Sequence, residues 1–259
     1  MGDNPDEVIF KVLDNSLVIE MNRPEKNNVF DNGIRKQIMD FLMKHEVNGK
    51  IKSVIFTSNG KNFSLGADIK NLLSLDGKTV GEYAEFVKKF LNYVQNYPKV
   101  TIGAVHGIAV GGGLELLLAL DIVVAADDSR FGQTELNVGL IPGGGGTQRL
   151  PEVMGLRKAR EMIFTGSLIN ADEALRYGLV NRIVPVDSLM EETMKVSASV
   201  SAKSSISISL AKKAINERLK PMEKALDLES DLYKDILLAE DGKEGLKAFL
   251  EKRKPSYKD

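Results

Sequence analysis

Two glutamates stand among apolar residues, and each lies beside a glycine-rich stretch. Glu115 lies in the sequence GLELLLAL and follows the three glycines Gly111–Gly113. Glu135 lies in FGQTELNVGL, and four consecutive glycines, Gly143–Gly146, follow it closely. Burial of a carboxylate in apolar surroundings raises its pKa, as a general acid or base requires. Two such acids predict paired acid–base chemistry.

The glycines before Glu115 predict a tight turn between a strand and a helix. Free N–H groups at a helix N-terminus hold a phosphate or stabilise a developing oxyanion. The turn is not a P-loop, because no Gly-Lys-Ser/Thr follows, and Leu116 breaks the Gly-x-Gly-x-x-Gly pattern. The segment Phe63–Asp68 is a second, weaker source of N–H donors.

Structural interpretations of these residues stay open at this point. Glycines 111–113 also suit a turn that only allows close packing. Glu115 also fits the outer edge of its helix, where it would be solvated. Glu135 also fits an ordinary helix cap in a surface loop.

The elements around these residues alternate between strands and helices, which predicts an α/β fold with buried parallel strands. Paired short strands are expected over residues 8–22, joined at Asn15. The further strands and helices that the pattern predicts before residue 130 are a helix over 32–44, a strand over 53–58, a helix over 81–97, a strand over 100–107, a helix over 113–120 and a strand over 121–127.

After about residue 185 the strand signal ends, and helices are predicted to the C-terminus. Their expected ranges are 189–200, 207–217, 223–238 and 243–252. A boundary near 185–205 separates the two regions. We therefore predict an α/β core with the catalytic site over residues 1–195 and a helical region over 196–259.

Composition excludes several functional classes. The 259 residues carry a net charge of −1, which gives no global attraction to nucleic acid or to an anionic membrane. The chain has no cysteine and only two histidines, which argues against disulfides, iron–sulfur clusters and zinc sites. The first ten residues lack a signal-peptide pattern, and no apolar run is long enough to span a bilayer. We expect a cytoplasmic protein with no membrane and no nucleic-acid partner.

Three long motifs, in this order, resemble the crotonase superfamily and are most similar to enoyl-CoA hydratases: FSLGAD, HGIAVGGGLELLLALD and FGQTELNVGLIPGGGGTQRL. The early MNRPEKNN and the late EGLKAFLEKRKPSY extend the resemblance over nearly the whole chain. It implies a spiral of ββα and βαβ turns, followed by a C-terminal helical trimerisation region. The implied assembly is a homotrimer or a homohexamer.

The resemblance also implies a role for each matching residue. The implied reaction is reversible syn addition of water to a trans-2-enoyl-CoA, with no metal and no further cofactor. The matching catalytic residues are Glu115, which activates water, and Glu135, which transfers the α-proton. The backbone N–H groups of Ala67 and Gly112 match the oxyanion hole. The residues expected to bind the CoA thioester are Lys26, Leu65, Gly66, Asp68, Ile69, Gly111 and Gly143.

At least one position departs from the family pattern, and other members of the family suggest alternative functions. Leu65 stands where a small residue is usual, which puts the acyl-chain specificity in question. An enoyl-CoA isomerase that uses mainly Glu135, or another acyl-CoA enzyme of the crotonase family, is the first alternative. A non-catalytic protein that binds CoA esters or RNA is the second. Tyr257 is expected near the CoA site of a neighbouring subunit.

Overall fold

The strands of the computed structural model, which describes residues 7–217 and 222–257, form two sheets. In chain order the strands are β1 (Val8–Leu13), β2 (Ser16–Met21), β3 (Ser53–Ser58), β4 (Val100–Val105), β5 (Ile108–Val110), β6 (Ile122–Ala126), β7 (Arg130–Gly132), β8 (Ile169–Asn170) and β9 (Arg182–Val184). The expected strands over residues 8–22, 53–58, 100–107 and 121–127 are confirmed.

Helices follow most strands and fill the C-terminal region. The α-helices are α1 (Asn32–His45), α2 (Ile69–Leu73), α3 (Thr79–Asn96), α4 (Gly112–Leu118), α5 (Gly146–Met154), α6 (Leu156–Thr165), α7 (Ala171–Arg176), α8 (Leu189–Ser201), α9 (Ser205–Glu217), α10 (Met222–Leu238) and α11 (Glu240–Leu250). Each predicted helix is present, with ends that differ by a few residues. In the described part of the chain, no helix has the length and apolar character to cross a membrane.

The larger sheet has the strand order β1-β2-β3-β4-β6-β9. The β1–β2 pair is antiparallel, and the other neighbours are parallel. Every residue of β3 is buried, as expected for a parallel strand covered on both faces. The predicted α/β fold with parallel strands and C-terminal helices is therefore confirmed.

The smaller sheet has the order β5-β7-β8, and it sets the geometry of the site. Strands β5 and β7 are parallel, with Val110 opposite Gly132. Their carboxyl ends therefore lie side by side. Ser64 forms a parallel bridge to Ala109 on the other edge of β5. Three chain segments, those after Ser64, Val110 and Gly132, thus leave the sheet at one end.

The main core lies between the larger sheet and the helices that cover it. Helix α3 contributes a buried stripe that includes Val80, Val87 and Val94, a spacing of seven residues that keeps one helix face inward. On the opposite side of the sheet, Leu189 and Val196 of α8 pack on a second apolar cluster. The division into residues 1–195 and 196–259 stays a prediction.

Candidate active site

A cavity of about 230 Å³ opens where the three chain segments leave the smaller sheet. Both predicted glutamates line it, as do most of the other residues singled out from the sequence. The predicted site residues in its wall are Leu65, Gly66, Ala67, Ile69, Gly111, Gly112, Glu115, Glu135 and Gly143. Side chains from α1, α3, α10 and α11 complete the wall.

The strand register explains why distant motifs meet here. The Gly111 N–H continues the β5–β7 ladder by donating to the Gly132 carbonyl over 3.1 Å. Beyond this bond one chain turns into α4, which carries Glu115, and the other reaches Glu135 three residues later. Gly111 makes the turn with a φ of 53°, a region that glycine adopts readily. Two adjacent parallel strands thus deliver the two acids to one cavity.

The Glu115 carboxylate is buried, so the solvated alternative considered above is wrong. The residue is 4% exposed. Its Oε1 accepts hydrogen bonds from the Gly144 and Gly146 N–H groups over 2.7 and 2.9 Å. Burial raises the pKa of Glu115, and these two donors oppose the rise. The carboxylate is therefore fixed in position, and its pKa is raised above the usual value.

Glu135 lies in a short 3₁₀ turn, Glu135–Val138, directly after β7. Its Oε1 accepts a hydrogen bond from Gln133 Nε2 over 3.0 Å. Its Oε2 is buried and has no hydrogen-bond partner in the part of the chain that the structure describes. Burial, and then the charge of Glu115, raise the pKa of Glu135 well above its usual value. Glu135 is thus suited to be the protonated member of the pair, while Glu115 is ionised.

Two backbone amides lie close together beside the glutamates. Gly112 is the first residue of α4, so its N–H has no acceptor within the helix. Phe30 bridges to Ala67 through the Gly66 carbonyl and the Asp68 N–H, and this bridge does not use the Ala67 N–H. A Cβ on Gly112 would lie 3.7 Å from the Ala67 nitrogen. The two N–H groups can therefore share one oxygen acceptor.

The glycine loop after Glu135 holds the first glutamate from the other side. A Cβ on Gly144 would overlap the Glu115 carboxylate, and a Cβ on Gly143 would overlap the Tyr233 ring. Arg149 of α5 donates from Nη1 to the Gly144 carbonyl over 2.8 Å. The loop therefore needs glycine for close approach, and it is tied to the helix that follows.

Glu229 of α10 is a third buried carboxylate, and it binds the same loop. It accepts hydrogen bonds from the Gly145 N–H, from the Thr147 N–H over 2.8 Å and from the Thr147 hydroxyl. Burial, and then the Glu115 charge, raise the pKa of Glu229 to about 7. Glu229 is not in the cavity wall. It therefore acts on the site through the loop.

Lys26 and Asp68 lie apart from the cavity. Together with Ile69 they line a separate, shallow depression at the surface. The Asp68 carboxylate caps α2 by accepting from the Lys70 N–H over 3.0 Å. Ile69 also lines the cavity, so the depression adjoins it. A role of Lys26 and Asp68 in CoA binding stays a prediction.

Sequence analysis missed two polar residues near the site, although their spacing carries a signal. Glu229 lies on the inward stripe of α10, three residues after Leu226 and four before Tyr233, both buried. Arg35 of α1 lies four residues before Met39 and seven before Leu42, again on a buried stripe. A charged residue at a core position of an amphipathic helix is the pattern that would have identified both.

Comparison with known proteins agrees with this geometry. The family model described as enoyl-CoA hydratase/isomerase matches residues 14–259. The chain is 34% identical to a crotonyl-CoA hydratase of Syntrophomonas wolfei over 254 residues, which cover 97% of this chain and 98% of that protein. It is 36% identical to a short-chain-enoyl-CoA hydratase of Clostridium acetobutylicum over 242 residues, 92% of each chain.

Solved structures show the same fold. The crystal structure of an enoyl-CoA hydratase/isomerase from Pseudoalteromonas atlantica superimposes with a TM-score of 0.89 at 28% identity and covers 98% of this chain and all of that one (100%). The resemblance to the crotonase superfamily is thus confirmed over nearly the full length. The chain belongs to the enoyl-CoA hydratase/isomerase family.

Proposed function

We propose that the protein is an enoyl-CoA hydratase, which adds water reversibly to a trans-2-enoyl-CoA and forms a 3-hydroxyacyl-CoA. One observation carries the proposal: Glu115 and Glu135 line the same cavity as the Ala67 and Gly112 amides. Hydration of a conjugated thioester needs a base, an acid and an oxyanion site at once. The named hydratases among the relatives support this reading.

The reaction follows from the positions of these groups. Glu115 accepts a proton from water, and the water oxygen forms a bond to the β-carbon. The electron pair of the double bond moves towards the thioester carbonyl, whose oxygen accepts hydrogen bonds from Ala67 and Gly112. Glu135 then donates its proton to the α-carbon. In the reverse direction, Glu135 removes the α-proton and Glu115 protonates the leaving hydroxyl.

The electrostatics of the cavity are consistent with Glu115 as the base and Glu135 as the acid. Burial raises the pKa of Glu135, and the Glu115 charge raises it as well. Two amide donors favour the ionised form of Glu115. One proton shared by the pair therefore resides on Glu135. This state has an ionised base and a protonated acid, as hydration requires.

The substrate class and the assembly are part of the proposal. The CoA thioester enters over Gly66 and Gly111, with Lys26 and Asp68 near the CoA moiety. No metal or further cofactor takes part. Exposed apolar side chains on the C-terminal helices favour a homo-oligomer, a trimer or a hexamer. They are Ile206, Leu210, Ile215, Leu228 and Leu232. Tyr257 packs near Gly139 of its own chain, and its contact with a neighbour's CoA site stays a prediction.

Product identification tests the proposal against the isomerase alternative. Purified protein is supplied separately with crotonyl-CoA and with trans-3-hexenoyl-CoA, and the products are separated by chromatography. A hydratase converts crotonyl-CoA into 3-hydroxybutyryl-CoA. Conversion of the 3-enoyl ester alone would identify an isomerase. The proposed function, and with it a proposed role in β-oxidation, depends on the first result, whereas a cytoplasmic location stays a separate prediction.

A further inference from the structure

Arg35 is a buried cation in the wall of the cavity. The residue is 4% exposed, although α1 otherwise presents its charged side chains to solvent. Its side chain lines the same cavity as Glu115 and Glu135. The reaction described above uses none of its N–H groups. A buried guanidinium with no catalytic task needs another explanation.

No carboxylate forms an ion pair with Arg35 among residues 7–217 and 222–257. Its Nη1 donates to Asn32 Oδ1 over 3.1 Å, and its Nη2 makes only a long 3.5 Å contact with the Tyr83 hydroxyl. Arg23 differs, because it lies 3.1 Å from a Glu7 oxygen and 2.8 Å from an Asp31 oxygen. The guanidinium of Arg35 thus donates to no carboxylate of the described chain, and it keeps N–H groups that can donate to one.

Two aromatic rings lie beside the guanidinium of Arg35. Its central carbon lies 5.8 Å from the Phe30 ring centroid and 5.4 Å from the Tyr83 ring centroid. Both distances lie within the range of a cation–π interaction, which favours a guanidinium at this position. The N–H donors lie in the plane, and this geometry matches a carboxylate.

Neither glutamate of the cavity occupies the N–H groups of Arg35. Glu115 already accepts two backbone N–H groups, and the Arg35 charge acts on it only through space. Glu135 is suited to hold a proton, because burial and Glu115 raise its pKa. The cavity wall is otherwise largely apolar, and Leu72 and Val87 contribute to it.

We propose that Arg35 binds a carboxylate at the distal end of the acyl chain. The preferred substrates are then 2-enoyl thioesters of dicarboxylic acids. The unreactive end of the acyl group pairs with Arg35, while the conjugated thioester lies between the glutamates and the two amides. This inference rests on the proposed hydratase function and names its substrate class.

Pairs of substrates of equal length test the inference in the wild-type enzyme. The first pair is glutaconyl-CoA and trans-2-pentenoyl-CoA, and the second is trans-2-hexenedioyl-CoA and trans-2-hexenoyl-CoA. We expect kcat/KM to favour the dicarboxylic member of at least one pair by about 10-fold to 100-fold, as a charge-assisted hydrogen-bonded pair supplies. Preference for the monocarboxylic member in both pairs overturns the inference.

Crotonyl-CoA in the same assay separates this inference from the proposed function. Hydration of crotonyl-CoA without any dicarboxylic preference overturns only the role of Arg35. If no enoyl ester is hydrated, the proposed function fails, and calorimetric binding decides the role of Arg35. Glutaryl-CoA then binds about 10-fold more tightly than pentanoyl-CoA, and equal or weaker binding overturns the inference.

Substitutions at Arg35 locate the effect. Arg35→Met removes the charge, and we expect the dicarboxylic preference to fall about 10-fold or more within the variant itself. Arg35→Lys keeps a charge without the planar fork and retains part of the preference. Lys36→Met is the matched control, because Lys36 is exposed and pairs with Asp40. An unchanged dicarboxylic preference in Arg35→Met overturns the inference. If the Met variant does not fold, the Lys variant decides: a partial loss of the preference supports the inference, and an unchanged preference overturns it.

Discussion

Glu115 and Glu229 bind alternate backbone amides of one glycine-rich loop. The Gly144 and Gly146 N–H groups donate to Glu115, whereas the Gly145 and Thr147 N–H groups donate to Glu229. The loop is therefore held between a carboxylate in the cavity and a carboxylate outside it. It follows that the position of Glu115 depends on a residue that does not touch the substrate.

The first prediction concerns this dependence. Glu229→Gln replaces one of the two acceptor oxygens by an NH₂ group, which only donates, so one of the hydrogen bonds from the Gly145 and Thr147 N–H groups is lost. The loop shifts, and Glu115 shifts with it. We expect kcat for crotonyl-CoA hydration to fall about 10-fold to 100-fold, since a displacement of about 1 Å has this effect. KM changes much less, because the cavity wall keeps its other residues.

Asp231→Asn is the matched control for that experiment. Asp231 lies on the same helix, is exposed and pairs with Lys234. Its substitution leaves kcat unchanged. A kcat in Glu229→Gln equal to that of the control would show that Glu229 does not position the loop.

The second prediction concerns stability as a function of pH. Burial raises the pKa of Glu229 from 4.5 to about 7. Between these values the native state binds more protons than the unfolded state, so the free energy of unfolding decreases as the pH rises from about 4.5 to 7. The decrease from this group is on the order of 3 kcal/mol. Urea unfolding at several pH values measures it, and Glu229→Gln flattens the curve. An equally steep curve in the variant would contradict the assignment.

The third prediction separates the roles of the two cavity glutamates. Glu115→Gln removes the base, and we expect hydration of crotonyl-CoA to fall about 10³-fold or more. Exchange of the α-protons of butyryl-CoA with deuterated water needs only Glu135 and the two amides, so NMR still detects it in this variant. Glu85→Gln is an exposed control on α3 with unchanged hydration. Loss of exchange together with hydration would show that the two roles are not separate.

The fourth prediction tests the close approach of the loop to Glu115. Gly144→Ala places a Cβ where the Glu115 carboxylate lies. We expect a loss of about 1–3 kcal/mol in the free energy of unfolding and a fall of about 100-fold in kcat. Gly49→Ala is the control, because no atom lies within 4 Å of its added Cβ. Thermal unfolding and initial rates of both variants provide the comparison, and equal effects would refute the steric explanation.

Much of this fold follows from hydrophobic patterning and glycine placement. The run SVIFTS predicts a buried strand, and β3 has those bounds because β-branched and aromatic residues there are covered on both faces. The strand–glycine–helix sequence before Glu115 predicts the turn at Gly111, because few other residues adopt its backbone conformation. Local signals of this kind suffice where the neighbours in sequence are also neighbours in space.

The rest of the site depends on contacts between distant parts of the chain. Glu229 lies 84 positions after Gly145, and no local pattern connects the two. Burial of Glu115 rather than its solvation is decided by the loop 143–147, which packs over the carboxylate. Arg35 reaches the cavity because α1 packs beside α3. Such long-range packing determines which charged side chains are buried. The residue spacing within a single helix shows only on which face of that helix a charged side chain lies.

The most direct test of the account is the initial rate at which the purified protein removes the conjugated enoyl-thioester absorbance of crotonyl-CoA. The account predicts rapid loss of this absorbance with 3-hydroxybutyryl-CoA as the product, and a loss about 10³-fold slower in Glu115→Gln. A folded protein that binds acyl-CoA esters but leaves the absorbance of crotonyl-CoA and longer 2-enoyl-CoAs unchanged would contradict it.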